Sequence, residues 1–406
     1  MSIDQLLFAL AVMMAVTSVA ISLAMRLNLG TIAALLAVGI ILGPHSPMPL
    51  LTIHLGDLQA LGEIGVMLLI FIVGLETQPS KLWSMRTLVF GFGSLEYLVT
   101  SVAIAGFLLA VSKINWPSAV MLGLGLAMSS SAVSLPIIEA RGEAASAHGR
   151  VAIAADILQS LMLIPVLALI PLLANTPQSV SNITPTFKAL QVCAAVAGVV
   201  VLGHIVLPYA LRSIARNAGS GAFGLLVLSG VCWAAWIMGK VGVSMALGAF
   251  LMGVLLSTSV YSTEIRAAVI PARRVLLGVF FVAVGMAIDL KEAAAFRAEL
   301  LFYVTVVLFI KFAVVYWIAR VFRVDRYAAL LSGLLLMPLD EIGYVIFASA
   351  HEHRLLTDRA YALALLSISG SFLISPIAIQ LGFRTAPRLC PPASTSLHRP
   401  DNESLT

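Results

Sequence analysis

The sequence predicts an all-α polytopic membrane protein of about thirteen transmembrane helices, built as an inverted repeat with two crossing discontinuous helices. Three observations predict this class. Hydrophobic residues make up 60% of the 406 positions and charged residues only 11%, against roughly a quarter charged in a soluble domain. Apolar runs recur along the chain at lengths near the about 20 residues that span a bilayer core. Two of these runs, seven positions apart in helix order and so crossing in opposite directions, are interrupted at mid-depth by polar residues and proline.

The first run, Leu6 to Met25, lacks a basic leading segment and a small-residue cleavage pattern, so it reads as helix one and not as a signal peptide. Further runs centre near residues 36, 66, 99, 128, 162, 199, 229, 249, 282, 310, 339 and 372. The second and ninth are short, which leaves a twelve-helix count open. Helix five carries MSSSAVSLP, with Ser129, Ser130 and Ser131 followed by Pro136. Helix twelve carries LLLMPLDEIGYV, where Pro338 removes an amide donor and Asp340 and Glu341 follow at once. Breaks of this kind free backbone groups that can meet ions at mid-membrane, although membrane helices also tolerate serine and proline in plain packing roles. The polar, Pro/Ser-rich stretch after the last run predicts a transmembrane domain over 1–384 and a short disordered cytoplasmic tail over 385–406.

Basic residues predict the orientation, because short cytoplasmic loops are enriched in Lys and Arg. With thirteen helices, sixteen basic residues fall on one side, among them Lys81, Arg86, Arg212, Arg266, Arg384 and Arg399. Seven fall on the other: Lys113, Lys188, Lys240, Lys291, Arg297, Arg354 and Arg359. The N-terminus is therefore expected outside and the C-terminus in the cytoplasm of a plasma or bacterial inner membrane. The same asymmetry, with attraction to anionic lipid, accounts for the net charge of +5 without a nucleic-acid partner.

Lys311 belongs to neither side. It lies in the middle of LLFYVTVVLFIKFAVVYWIAR, and a charge at that depth costs at least a few kcal/mol unless it finds a partner or a wet cavity. Helix six offers Asp156, Gln159 and Ser160, with Asp156 and Ser160 on one face. At about 1.5 Å per residue, Ser160 lies roughly 15 Å inside Arg150 and Lys311 roughly 14 Å inside Arg320, with Asp156 roughly 9 Å deep and within reach of a bent lysine stem. Asp156 also fits a role solvating the start of helix six. Glu96, deep in helix four, reads either as a helix-packing hydrogen bond or as an accessory site, and Glu76 as the cytoplasmic end of helix three. Cys193, Cys232 and Cys390 show no metal or pairing pattern and the seven histidines no ligand spacing, so neither a metal nor a cofactor is expected. No HExxH, no GxSxG in helical context and no facing aspartate pair points to an enzyme.

Several blocks taken in order resemble the membrane domain of Kef-type monovalent cation:proton antiporters: LGTIAALLAVGIILGP, LGEIGVMLLIFIVGLETQPSKLW, LAMSSSAV, GRVAIA, VGVSMALGAFLMGVLLSTSVY, LLGVFFVAVGMAIDL and EIGYVIF. The likeness runs from about residue 5 to 383. It implies a thirteen-helix sodium/proton antiporter-like fold, a homodimer, and exchange of K⁺ or Na⁺ for protons by alternating access. It places the family's lysine on Lys311, its helix-twelve glutamate on Glu341 and its Ser/Thr cluster on Ser129, Ser130 and Ser131. It also places the family's Gln-Asp pair on Gln159 and Ser160, so the expected aspartate is missing. The family's usual neutral residue before the glutamate of helix twelve is replaced by Asp340. Antiport requires a group that takes either a proton or a cation, which a hydroxyl cannot do and a carboxylate in a poorly hydrated cavity can. Exchange therefore needs Asp156 or Asp340 to take that role, with Lys311 as counter-charge, and Asp156, Asp340 or Glu341 is left to balance Lys311. The alternative is a non-exchanging relative: a uniporter, a carrier of another solute, or a sensor.

Overall fold

In the computed structural model the described residues are 3–26, 31–43, 55–77, 83–174, 185–217, 220–241, 244–287 and 297–389. Lys81, Lys291, Cys390, Arg399 and the tail from 390 lie outside them. The described residues form fifteen helices, each π-helical stretch being counted with the α-helix it joins. They are α1 Ile3–Arg26, α2 Thr31–Leu42, α3 Leu55–Glu76, α4 Thr87–Val111, α5 Trp116–Ala127, α6 Ser131–Ala140 and α7 Ala147–Leu173. Next come α8, made of Pro185–Val201, a π stretch Leu202–Val206 and Leu207–Asn217, then α9 Ser220–Lys240, α10 Met245–Ser257 and α11 Ser262–Ala287. The chain closes with α12 Arg297–Val321, α13 Arg326–Leu336, α14 Ile342–Glu352 and α15 Asp358–Leu389. Joining α5 to α6 and α13 to α14 as broken passes gives the thirteen expected from the sequence. α2 and α10, the second and ninth, are short at 12 and 13 residues. Among the described residues seven helices are each long and apolar enough to cross a membrane alone.

Helix is the required answer to lipid, where every backbone group must find its partner within the segment. Side chains such as Val102, Phe309 and Trp317 stand exposed on the outer faces, as lipid-facing residues do. Helices α1 to α3 pack with α8 to α11; helices α4 to α7 pack with α12 to α15, and an apolar core runs between the two groups. Closest approach in the first group depends on glycine. A Cβ on Gly253 of α10 would stand 2.1 Å from the Phe71 carbonyl of α3, and one on Gly285 of α11 would stand 2.3 Å from the Leu36 carbonyl of α2. Pass nine against three and pass ten against two are the same contact seen in the two halves of an inverted repeat.

The second group repeats in register as well. α4 ends at Val111 and α12 at Val321; Asn115 caps α5, accepting from Ser118 N at 2.9 Å, and Asp325 caps α13, accepting from Ala328 N at 2.9 Å. Ser129 and Leu339 pair across the two breaks in an isolated antiparallel bridge. Each of these three pairs is 210 positions apart. α15 continues to Leu389, five residues into the segment expected to be a disordered tail. Burial of Phe383 and Ala386 against the helices of the second group holds that turn in place, which polarity of the local sequence did not reveal.

Candidate functional site

The two broken passes meet where the sequence is interrupted. α5 stops at Ala127 and α6 starts at Ser131; α13 stops at Leu336 and α14 starts at Ile342. A helix end leaves carbonyls or amides without partners, and in a dry interior each must be satisfied. Here the two breaks satisfy each other. Ser130 N donates to the Pro338 carbonyl at 3.2 Å, and Ser129 Oγ donates to the Leu336 carbonyl at 2.7 Å. Ser130 Oγ donates to Glu341 Oε2 at 2.8 Å, and Leu339 N donates to Ser371 Oγ of α15 at 3.2 Å. Asp340 Oδ1 accepts from Ile342 N at 3.0 Å, placing an acid at the N-terminus of α14, where the helix dipole favours it.

Lys311 of α12 is completely buried. Its ammonium donates to the carbonyls of Leu126, Ala127 and Met128 at 3.2, 2.7 and 2.6 Å. Three protons meet three carbonyls, and a cation stands at the C-terminus of α5, the favourable end of that helix. The sequence left Asp156, Asp340 or Glu341 to balance Lys311. In the structure its direct partners are backbone, and the carboxylate tied to those partners is Glu96, through Gln159 and the amide of the Met128–Ser129 peptide.

Glu96 is the residue that sequence reading left undecided. It is fully buried on α4, with Oε1 accepting from Thr100 Oγ1 at 3.1 Å and Oε2 accepting from Gln159 Nε2 at 3.0 Å. Gln159 in turn accepts from Ser129 N at 2.7 Å through its Oε1, so α4, α7 and the break after α5 are tied in one chain of hydrogen bonds. The signal was present in the sequence: Glu96 stands 15 positions before the end of α4, at about 22 Å, and Lys311 stands 14 positions after the start of α12, at about 21 Å from the same end of the bundle.

The remaining expected residues gather around this crossing to different degrees. Gln159, Ser129, Ser130, Pro338, Asp340 and Glu341 are buried in it. Asp156 and Ser160 are half-buried on α7, one turn apart. Ser131 is half-buried at the start of α6. A cavity of about 370 Å³ is lined at one end by Lys113, Glu299 and Arg359, and its wall reaches Leu126 on α5. Among the described residues no group of three His, Cys, Asp or Glu side chains could hold a metal ion.

A membrane-embedded inverted repeat whose broken helices meet around buried acids and a buried lysine is the architecture of a secondary transporter. Residues 12–383 match the family described as sodium/hydrogen exchanger, transmembrane, and the chain belongs to that family. This is a family of transporters and not of enzymes. The fold is similar to the sodium proton antiporter MjNhaP1 from Methanocaldococcus jannaschii at pH 8, with a TM-score of 0.66 and 17% identity over 94% of this chain and 99% of that one. An electron-microscopy structure of the same antiporter gives a TM-score of 0.66 and 16% identity over 96% of this chain and 98% of that one.

Proposed function

We propose that the chain exchanges a monovalent cation, K⁺ or Na⁺, for protons across the plasma or bacterial inner membrane by alternating access. The observation that carries this reading is the crossing itself: carbonyls freed by two broken helices, the serine cluster and the buried carboxylates of Asp340 and Glu341 in one place. In this reading Ser129, Ser130, Ser131 and Pro338 line the crossover. Asp340 and Asp156 offer the cation its carboxylates, while Glu341, Gln159, Ser160 and Lys311 complete the ion- and proton-binding surroundings. The narrower assignment to the Kef type rests on the sequence blocks quoted above. A homodimer, an external N-terminus and a cytoplasmic C-terminus belong to the same proposal.

Proteoliposomes with an acidic lumen and a trapped pH dye test it. Adding K⁺, Na⁺ or Li⁺ outside, each in turn, is expected to dequench the dye with at least one of them. Silence with all three sinks the exchanger reading. A second reading, a non-exchanging relative, draws on the serine at position 160 and on Lys311 being held by carbonyls. Solute binding or flux with no proton movement in either direction favours it.

A further inference from the structure

Glu96 occupies a place that neither reading of the crossing uses. Its carboxylate is completely buried. It is hydrogen-bonded to Thr100 and Gln159, and through Gln159 to the backbone of Ser129. It is linked to Lys311 of α12 across one peptide unit: the Ser129 amide donates to Gln159 Oε1, and the carbonyl of the same Met128–Ser129 peptide accepts from the Lys311 ammonium. α7 presents neutral Gln159, and α5 accepts the Tyr97 hydroxyl on its Leu124 carbonyl at 3.0 Å. On α4 itself the neighbours are Thr100 and Tyr97. Asp340 lies in the break after α13, whose Pro338 carbonyl accepts from Ser130 N, and Asp156 stands half-buried on α7 one turn before Ser160. Lys311 thus holds the end of α5, which Glu96 reaches through Gln159 and which the break that carries Asp340 meets at Ser130. A cavity whose wall includes Lys113, Arg359 and Leu126 lies on the α5 side of this site, and the Leu126 carbonyl is one of the three that Lys311 holds.

We propose that Glu96 carries the exchanged proton, and that proton and cation exclude each other through Lys311 instead of sharing one carboxylate. This rests on the exchanger reading. When Glu96 is ionised, its charge offsets the Lys311 ammonium and leaves the acids of the crossing, Asp340 foremost, to hold a monovalent cation. When Glu96 takes a proton, Lys311 loses that compensation and its positive charge opposes a cation beside Asp340. One O–H bond forms at Glu96 as one cation leaves the crossing; the return step reverses both.

The full chain in proteoliposomes tests this with the same dye. Glu96→Gln, equal in shape and unable to titrate, is expected to reduce cation-driven proton flux to that of protein-free vesicles, while Glu96→Asp keeps exchange with a displaced pH profile. Wild-type flux accompanied by an unchanged rate and pH profile in Glu96→Gln overturns the assignment and leaves the exchanger reading standing. No wild-type flux with any of the three cations removes both. A second measurement needs no substitution: the purified wild-type protein is treated with a hydrophobic carbodiimide, which attacks protonated carboxyl groups, and the adduct is located by mass spectrometry. Labelling of Glu96 that fades as pH rises and as cation is added supports the proposal. An adduct confined to Asp340, Glu341 or Asp156, or labelling of Glu96 indifferent to cation, overturns it.

Discussion

Lys311 shows how a buried charge can be satisfied without an acid in contact. Three carbonyls at the end of α5 take its three protons, so the lysine does the work of a helix cap across a tertiary contact. Removing it leaves those carbonyls without donors in a dry interior, at a cost of about 1–3 kcal/mol for each group left unpaired. Lys311→Met is therefore expected to lower the thermal midpoint of the detergent-solubilised protein clearly, as read by intrinsic fluorescence. An unchanged midpoint would show that the ammonium is dispensable to the fold and that its value is purely functional. The need for a partner was legible in the sequence, since no other Lys or Arg sits inside an apolar run. The partner was not, because backbone carbonyls leave no mark in a sequence and the freed ones depend on where α5 stops.

At the scale of elements, the two breaks and the two glycine crossings are the features that set geometry. Ser129 to Ser131 and Pro338 mark the breaks in the sequence, and the structure places them against each other. The glycines were not singled out from the sequence, because a glycine among apolar residues reads the same whether it faces lipid or a neighbouring backbone. Gly253 and Gly285 each sit where a side chain would meet a carbonyl of the facing helix. Overpacking at such a point costs typically about 1–3 kcal/mol or more. Gly253→Leu and Gly285→Leu are each expected to reduce the yield of monodisperse protein on gel filtration. Gly106→Leu, at a position with no neighbour within 4 Å, serves as the control that leaves yield unchanged. Equal yields for all three would mean that α3 and α10, and α2 and α11, do not approach as closely as described.

For the whole molecule, charge bias predicts the topology and membrane labelling checks it. In a background with the native cysteines replaced by serine, a cysteine at Lys113 or Arg359 is expected to react with an impermeant maleimide added outside intact cells. One at Arg212 or Arg384 is expected to react only after permeabilisation, and the reverse pattern would invert the proposed orientation. Membrane class, a pass number of twelve or thirteen and the sites of interruption follow from composition and periodicity alone. A bilayer of fixed thickness imposes run length, and lipid admits few polar residues without cause. Identity of the partners follows from tertiary structure only. The sequence set Asp156 and Ser160 against Lys311 by depth, which is a one-dimensional measure. Glu96 shares that depth, and the packing of α4 against α5, α7 and α12 turns it inward to Gln159. Depth can be counted along a helix, but which face of that helix meets a neighbour is decided when all the helices pack together.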